Sequence, residues 1–413
     1  MSTSSATGTA PPEPDLTPNQ LIQRAVELRP RLVEAQAEAE ERTYYSPEMH
    51  KAFDDAGFYR LFIPRRYGGY EFDVPTFVRV LLELARGCVS TAWCMGLASG
   101  HALQVGSYFG ERTQREVFGE GDFRAASVAS PSVIAKRSTN GWVLNGTVGY
   151  CSGVPYSTHF MGQALPEGVP PDEAEGQMLL YVAPRSEWTM LDDWGDTLGL
   201  RGSGSHSIRF TDGRLPRHYV LERTSMVDVD VSDGTPGLTL HGNPVYCGRS
   251  LGVFTLSLAA IMVGGGYNAL DEYENQMRTR KTPLPPMVPR IEDGDFQRWY
   301  GAAFGKLATA EAALLRCADE HAELCERTAN GGEPYSAEDE QRVGVIAREI
   351  MVQVWETVEQ DLFRSVGAST IRAGTRFERL YRDLSMCACH RNTAYRDPLY
   401  RRLAQLHLGI DAS

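Results

Sequence analysis

The feature that most constrains this 413-residue chain is a change of hydrophobic period that happens twice. Apolar residues recur at helical spacing over 17–121, fall into short alternating segments over 122–246, and return to long helical runs over 247–413. Side chains share a face every 3.6 residues on a helix and every two on a strand, so each zone is bound to one kind of element. The expected organisation is an N-terminal helical domain (17–121), a central β-domain (122–246) and a C-terminal four-helix bundle (247–413). Residues 1–16 are rich in Ser, Thr, Ala and Pro, lack the basic and apolar runs of a leader, and read as a disordered tail.

Local signals place the elements. Thr17-Pro18 and Ser46-Pro47 are helix starts, each a capping hydroxyl followed by proline at the first helical position. Gly57 is a helix stop, and one continuous helix is expected over 90–109. Asn140-Gly141 and Asn145-Gly146 read as turns around a short strand at 142–144. Further strands are expected near 125–129, 160–165, 178–183 and 207–210. The bundle helices are expected over 247–279, 294–329, 337–366 and 376–405, broken by Pro283–Pro289, Asn330-Gly331-Gly332 and Gly374.

Composition narrows the chemistry. The net charge of −12 repels phosphate backbones, so nucleic acid is not an expected partner. The apolar stretch 251–267 is shorter than a membrane span and reads as a core helix, so no membrane partner is expected. The eight cysteines are scattered without a CxxC pair, which suggests reduced thiols and a cytoplasmic protein. Gly264-Gly265-Gly266 lies within a helical run, so it reads as close helix packing and not a dinucleotide fingerprint. Cys387-Ala388-Cys389-His390 is no metal cluster, because thiols two apart on a helix diverge by about 200°. No metal site is expected.

Four stretches carry a family resemblance: Gly57-Phe58-Tyr59-Arg60-Leu61 with Ile63-Pro64 and Tyr67-Gly68-Gly69; Trp142 to Gly146 running on to Ser152-Gly153; Gly199 to Ser205; and Phe377 to Asp383. In these the chain resembles the acyl-CoA dehydrogenase fold superfamily over about residues 20–410. Within it, the chain is similar to the oxygenase components of two-component flavin-dependent monooxygenases. These are typified by 4-hydroxyphenylacetate 3-hydroxylase and the steroid-ring phenol hydroxylases. The implied fold is α+β and acyl-CoA dehydrogenase-like: helical domain, β-barrel-like domain, four-helix bundle. A dehydrogenase of this fold commonly carries its glutamate base in a Tyr-Glu-Gly-Thr stretch after the Arg-Asp pair. Here His390-Arg391-Asn392-Thr393 falls at that place, and arginine, protonated near neutral pH, cannot take a proton.

The resemblance implies the site. His101 would face the substrate, Ser127 would orient it with Ser130 as the fallback, Ser152 would sit by flavin N5, and His390 would bias flavin protonation or oxygen activation. Ser152-Gly153, Arg278 or Arg280, and Gly367, Ser369 and Thr370 would hold the cofactor, the last three from a neighbouring subunit. The small residues of Gly202-Ser203-Gly204-Ser205 would let the backbone approach the ring or substrate. The cofactors implied are reduced flavin (FMNH2 or FADH2) and O2. The chemistry implied is insertion of one oxygen atom through a flavin C4a-hydroperoxide, ortho to a phenolic hydroxyl of a small aromatic substrate. A separate flavin reductase is expected because the chain has no nicotinamide fingerprint, and a homotetramer is expected from the resemblance. The competing readings are N- or S-oxygenation on the same fold, an acyl-CoA dehydrogenase whose base is displaced to Glu272 or Glu274, and a non-enzymatic flavin-binding scaffold.

Overall fold

The computed structural model describes residues 10–119, 121–391 and 396–410. Most of the tail, residues 1–9, lies outside them. Within the rest of it, Glu13 forms an ion pair with Arg24 and Leu16 is buried in the core.

The N-terminal helices are α1 (Pro18–Arg42), α2 (Pro47–Ala56), α3 (Val74–Gly87), α4 (Val89–Gly100), α5 (Ala102–Tyr108) and α6 (Glu111–Phe118). Thr17 and Ser46 cap α1 and α2 with proline behind them, and Gly57 ends α2 at φ 86°. The helix expected over 90–109 is instead two, with the junction at Gly100-His101. Glycine weakens the helix there, and the His101 side chain bonds sideways to the first strand.

The seven strands are β1 (Ala125–Ser138), β2 (Gly141–Val148), β3 (His159–Pro166), β4 (Leu179–Pro184), β5 (Thr189–Met190), β6 (Ile208–Pro216) and β7 (Val220–Glu222). They form one sheet in the order β5-β6-β2-β1-β3-β4-β7, with β1 and β3 parallel and the other pairs antiparallel. In a flat sheet β6 and β4 would lie about 19 Å apart, four strand spacings. Yet the rings of Phe210 on β6 and Tyr181 on β4 meet at 5.8 Å. The sheet therefore curls around a core of its own that includes Trp142, Phe160 and Trp188, while its edge strands β5 and β7, paired to β6 and β4, do not pair with each other. Asn140-Gly141 makes the β1–β2 turn as expected. Asn145-Gly146 does not: it stays within β2 as a bulge, where the register against β6 slips between Leu144 and Gly146 and Gly146 takes φ 148°.

After the short α7 (Pro236–His241), the bundle comprises α8 (Ser250–Thr279), α9 (Gly294–Ala329), α10 (Ala337–Glu356) continuing as a π-helical segment (Thr357–Phe363), and α11 (Arg376–Ala388). The helix expected over 376–405 is broken: α11 ends at Ala388, and α12 (Arg396–Leu408) follows separately. α8 is long and apolar enough to cross a membrane, but 89% of its apolar window is buried inside this fold. The glycine run explains how one helix packs on three. Successive residues turn by about 100°. A Cβ on Gly264 would strike the Leu82 carbonyl of α3 at 2.2 Å; one on Gly265 would strike Leu384 of α11, and one on Gly266 Leu307 of α9, each at 2.6 Å.

Candidate active site

Trp93 on α4 is the hub of a polar cluster that joins three elements. Its indole Nε1–H donates to Ser152 Oγ at 3.0 Å, in the loop after β2. Ser152 Oγ is 2.7 Å from Ser205 Oγ, which is 2.6 Å from Ser203 Oγ. The Trp93 ring and that of His390, just beyond α11, meet edge to face at 5.4 Å between centroids. Two of the residues singled out in sequence, Ser152 and His390, are thus brought together through one that was not.

The hydroxyl chain has a surplus that bears on ligand binding. Three serine hydroxyls carry three protons, and the two bonds among them use two. One proton is left for an acceptor outside the chain, and free lone pairs remain for a donor. Such a chain can meet a ring nitrogen in either protonation state, which is the requirement of a flavin N5.

The local fold holds these groups rigidly. Gly153 takes φ 83°, and a Cβ there would lie 2.5 Å from the Cys94 carbonyl, so only glycine lets the Ser152 loop sit on α4. The loop bearing Ser203 and Ser205 is pinned by Asp383 of α11. That carboxylate accepts from Leu200 N at 2.7 Å and Ser90 Oγ at 2.9 Å. Burial pushes its pKa up to about 6 against these bonds. The glycines of this loop also pack closely on protein. A Cβ on Gly202 would meet the Ala39 carbonyl of α1, and one on Gly204 would meet Pro155 and Cys94, so they allow the loop to close on protein.

His101 and Ser127 form a second group. His101 is 4% exposed and its Nδ1 lies 2.8 Å from the Ala125 carbonyl of β1. A carbonyl only accepts, so Nδ1 carries the proton and Nε2 keeps its lone pair. Burial lowers the His101 pKa to about 4, which keeps the ring neutral at ordinary pH. The Phe254 ring of α8 packs beside it at 5.5 Å. Ser127 lies two residues along β1 from Ala125, on the same face, with its Oγ 3.4 Å from the Met226 sulfur. Ser130, the fallback, is exposed on the same strand. His390 is likewise held to about pKa 4, by burial and then by Arg391.

The residues expected to hold a phosphate gather elsewhere, beside the end of α8. Arg280 Nη1 donates to Ser369 Oγ at 3.1 Å. Gly367 takes φ 82° in front of the short turn Ala368–Thr370, and Thr370 Oγ1 donates to the Val366 carbonyl. Arg290, which the sequence did not suggest, is buried against the same turn and donates to the Val366 carbonyl at 3.0 Å. Arg278 is tied to Glu274 at 2.6 Å, whereas among the described residues no carboxylate pairs with Arg280. The donor set at Arg280 and Ser369 suits an anion.

Among the described residues, neither displaced-base carboxylate bonds the Trp93 cluster or the His101–Ser127 group. Glu272 is buried among Asn275, Gln276 and Arg376, and Glu274 is held by Arg278. Among the described residues no cluster of His, Cys, Asp or Glu could hold a metal ion.

A helical domain, a curled sheet and a helix bundle, with a serine–tryptophan–histidine cluster where the three meet, define a class of protein, and the comparisons name it. Two family models match, "Acyl-CoA dehydrogenase, N-terminal domain" over residues 21–120 and "Acyl-CoA dehydrogenase, C-terminal domain" over 256–395. The chain belongs to the acyl-CoA dehydrogenase family. It is similar to the flavin-dependent monooxygenase oxygenase subunit HsaA of Rhodococcus jostii, 26% identical over 88% of this chain and 91% of that protein. It is also similar to the oxygenase component of p-hydroxyphenylacetate 3-hydroxylase of Acinetobacter baumannii, 21% identical over 92% of this chain and 87% of that protein. The crystal structure of XiaF from Streptomyces, in complex with FADH2 and glycerol, has the same fold, with a TM-score of 0.84 at 22% identity, covering 95% of this chain and 96% of that one.

Proposed function

We propose that this protein is the oxygenase component of a two-component flavin-dependent monooxygenase, hydroxylating a phenol ortho to its hydroxyl group. The observation that carries the reading is the Trp93–Ser152–Ser205 cluster with His390 at its edge, next in sequence to Arg391, which by resemblance stands at the place of a dehydrogenase's glutamate. Reduced flavin, when bound, supplies the activation of O2. Ser152 would hold the ring at N5, and the buried position of the cluster keeps water from it. Arg280 and Ser369, with Gly367 and Thr370, would hold the phosphate end across a subunit boundary in a homotetramer. A separate reductase would supply the reduced cofactor, in the cytoplasm.

His101 acts on the substrate. Attack of an electrophilic oxygen on a phenol ring moves positive charge onto the phenolic oxygen, and its proton becomes strongly acidic in the transition state. The Nε2 lone pair of a neutral imidazole can take that proton although its pKa is only about 4. Ser127 would orient the hydroxyl group.

A diffusible-cofactor oxygenase binds reduced flavin more tightly than oxidised flavin and purifies nearly colourless. Anaerobic titration with both redox forms tests this; equal or tighter binding of the oxidised form would count against the proposal.

A further inference from the structure

The strand that carries Ser127 breaks its pairing just beyond it. Residues 125–128 of β1 pair with β3, and pairing resumes at Val133, where β2 joins on the other side. Val128 faces Gly162 and Val133 faces Ala164, so β3 offers only Gln163 opposite residues 129–132, which have no partner in either ladder. A backbone carbonyl released in this way needs another donor. Gln163 supplies it from its side chain: the residue is 3% exposed, and its Nε2 donates to the Ala129 carbonyl.

The other end of the same amide reaches a second segment. Gln163 Oε1 accepts from Met226 N at 2.6 Å, in a turn over residues 225–228. That turn is also tied to the start of α8, since the Met226 carbonyl accepts from Ser250 Oγ at 2.8 Å and Asp228 pairs with Arg249. Held on both sides, the turn presents the buried Met226 side chain to Ser127, whose Oγ–H donates to the sulfur at 3.4 Å. Among the described residues this is the only hydrogen bond of the Ser127 hydroxyl. A thioether is a weak acceptor and Ser127 is only half-buried, so a phenolic oxygen can take the sulfur's place.

We infer that Gln163 is a positioning residue of the hydroxylation site: its one amide sets the separation between the Ser127 strand and the Met226 turn, and so sets where the phenol hydroxyl group is held. The inference rests on the phenol-hydroxylase reading above and adds the group that places Ser127. Ser127 and Met226 lie 99 residues apart in the chain, so nothing local fixes their distance. Reaction needs the ring carbon close to the oxidant, and a misplacement of about 1 Å costs up to ~10²-fold in rate. Gln163 touches neither substrate nor cofactor in this account and acts through Ser127 alone.

The test is a double-mutant cycle in the full chain, with reduced flavin supplied chemically and 4-ethylphenol as the probe. Gln163→Met keeps the length of the side chain and removes both bonds. With Ser127 present it should lower kcat about tenfold and release the lost product as H2O2, while KM and the affinity for reduced flavin change less than about twofold. In the Ser127→Ala background the same change should alter kcat by less than about twofold, because the group it positions is gone. A purely structural role would lower kcat by the same factor in both backgrounds, and that result overturns the inference. So does a Gln163→Met protein with native coupling. Should Gln163→Met not fold, Gln163→Asn, whose amide is one methylene short, enters the cycle with the same expectation. Failure of both to fold overturns the inference, since the amide would then serve the fold and not the reaction. A native protein that prefers reduced flavin but leaves the probe unhydroxylated overturns the inference alone; one that also fails the flavin titration overturns the oxygenase reading beneath it.

Discussion

His101→Ala is expected to lower phenol hydroxylation about 10²- to 10⁴-fold while leaving flavin binding in place, with the lost product appearing as H2O2. The expectation follows from the tautomer that the Ala125 carbonyl imposes, which leaves Nε2 as the only ring atom able to take a proton. The alanine variant also strips that buried carbonyl of its donor, at a cost of roughly 1–3 kcal/mol in stability. His101→Asn separates the two effects, since its amide can donate to the carbonyl but cannot act as a base. It should melt closer to the native protein and hydroxylate as poorly as alanine. Product yield per reduced flavin, read beside the melting temperature, decides the matter: a variant that still couples fully refutes the role. The pH profile is a further check. Protonation of His101 should abolish activity near pH 4, its folded pKa, and not near 6.5, where an exposed histidine titrates.

Ser152→Ala is expected to raise the rate of H2O2 release in the absence of substrate by roughly five- to thirtyfold, the equivalent of one lost hydrogen bond of ~1–2 kcal/mol. The structure adds a second consequence. Ser152 Oγ is the acceptor for the Trp93 indole N–H, and both groups are buried. Alanine leaves that N–H unpaired and removes one end of the Ser152–Ser205–Ser203 chain. Ser152→Thr retains the hydroxyl and should restore much of the native rate where the extra methyl group fits. Rapid-mixing measurement of H2O2 release in all three forms is the check, and an unchanged rate in a folded Ser152→Ala protein would reduce the serine to a turn residue.

Much of this was legible from residue pattern. The capped starts of α1 and α2 and the bounds of α9 follow from local chemistry, because hydroxyl caps, first-turn prolines and glycine stops act within a few residues. What the pattern could not show depends on contacts distant in sequence. Asn145-Gly146 has the composition of a turn, but pairing with β6 on one side and β1 on the other absorbs it as a bulge. The break at His101 is tied to a strand that begins 24 residues later. The end of α11 likewise left no clear mark in the sequence.

The site divides in the same way. Ser152 and His390 were reached through motifs, and the structure brings them to one indole. Trp93 itself was missed because a tryptophan on an apolar helix reads as core packing, and nothing local marks its N–H as a donor to a loop 59 residues on. Ser203 and Ser205 lay in a stretch expected to let the backbone approach the ring or substrate, and their hydroxyls were given no part. Arg280 and Ser369 were proposed separately, and their direct bond gives the pair a shared place beside the end of α8.

The most direct test of the central claim follows the oxygen atom. Protein loaded anaerobically with reduced flavin is mixed with ¹⁸O2 and a phenol, and the product is read by mass spectrometry. The account predicts a catechol carrying one ¹⁸O atom, formed at up to one equivalent per reduced flavin, with the balance as labelled H2O2. A product whose new oxygen comes from water, or a protein that consumes no O2 but bleaches bound oxidised flavin on addition of an acyl-CoA, would contradict it.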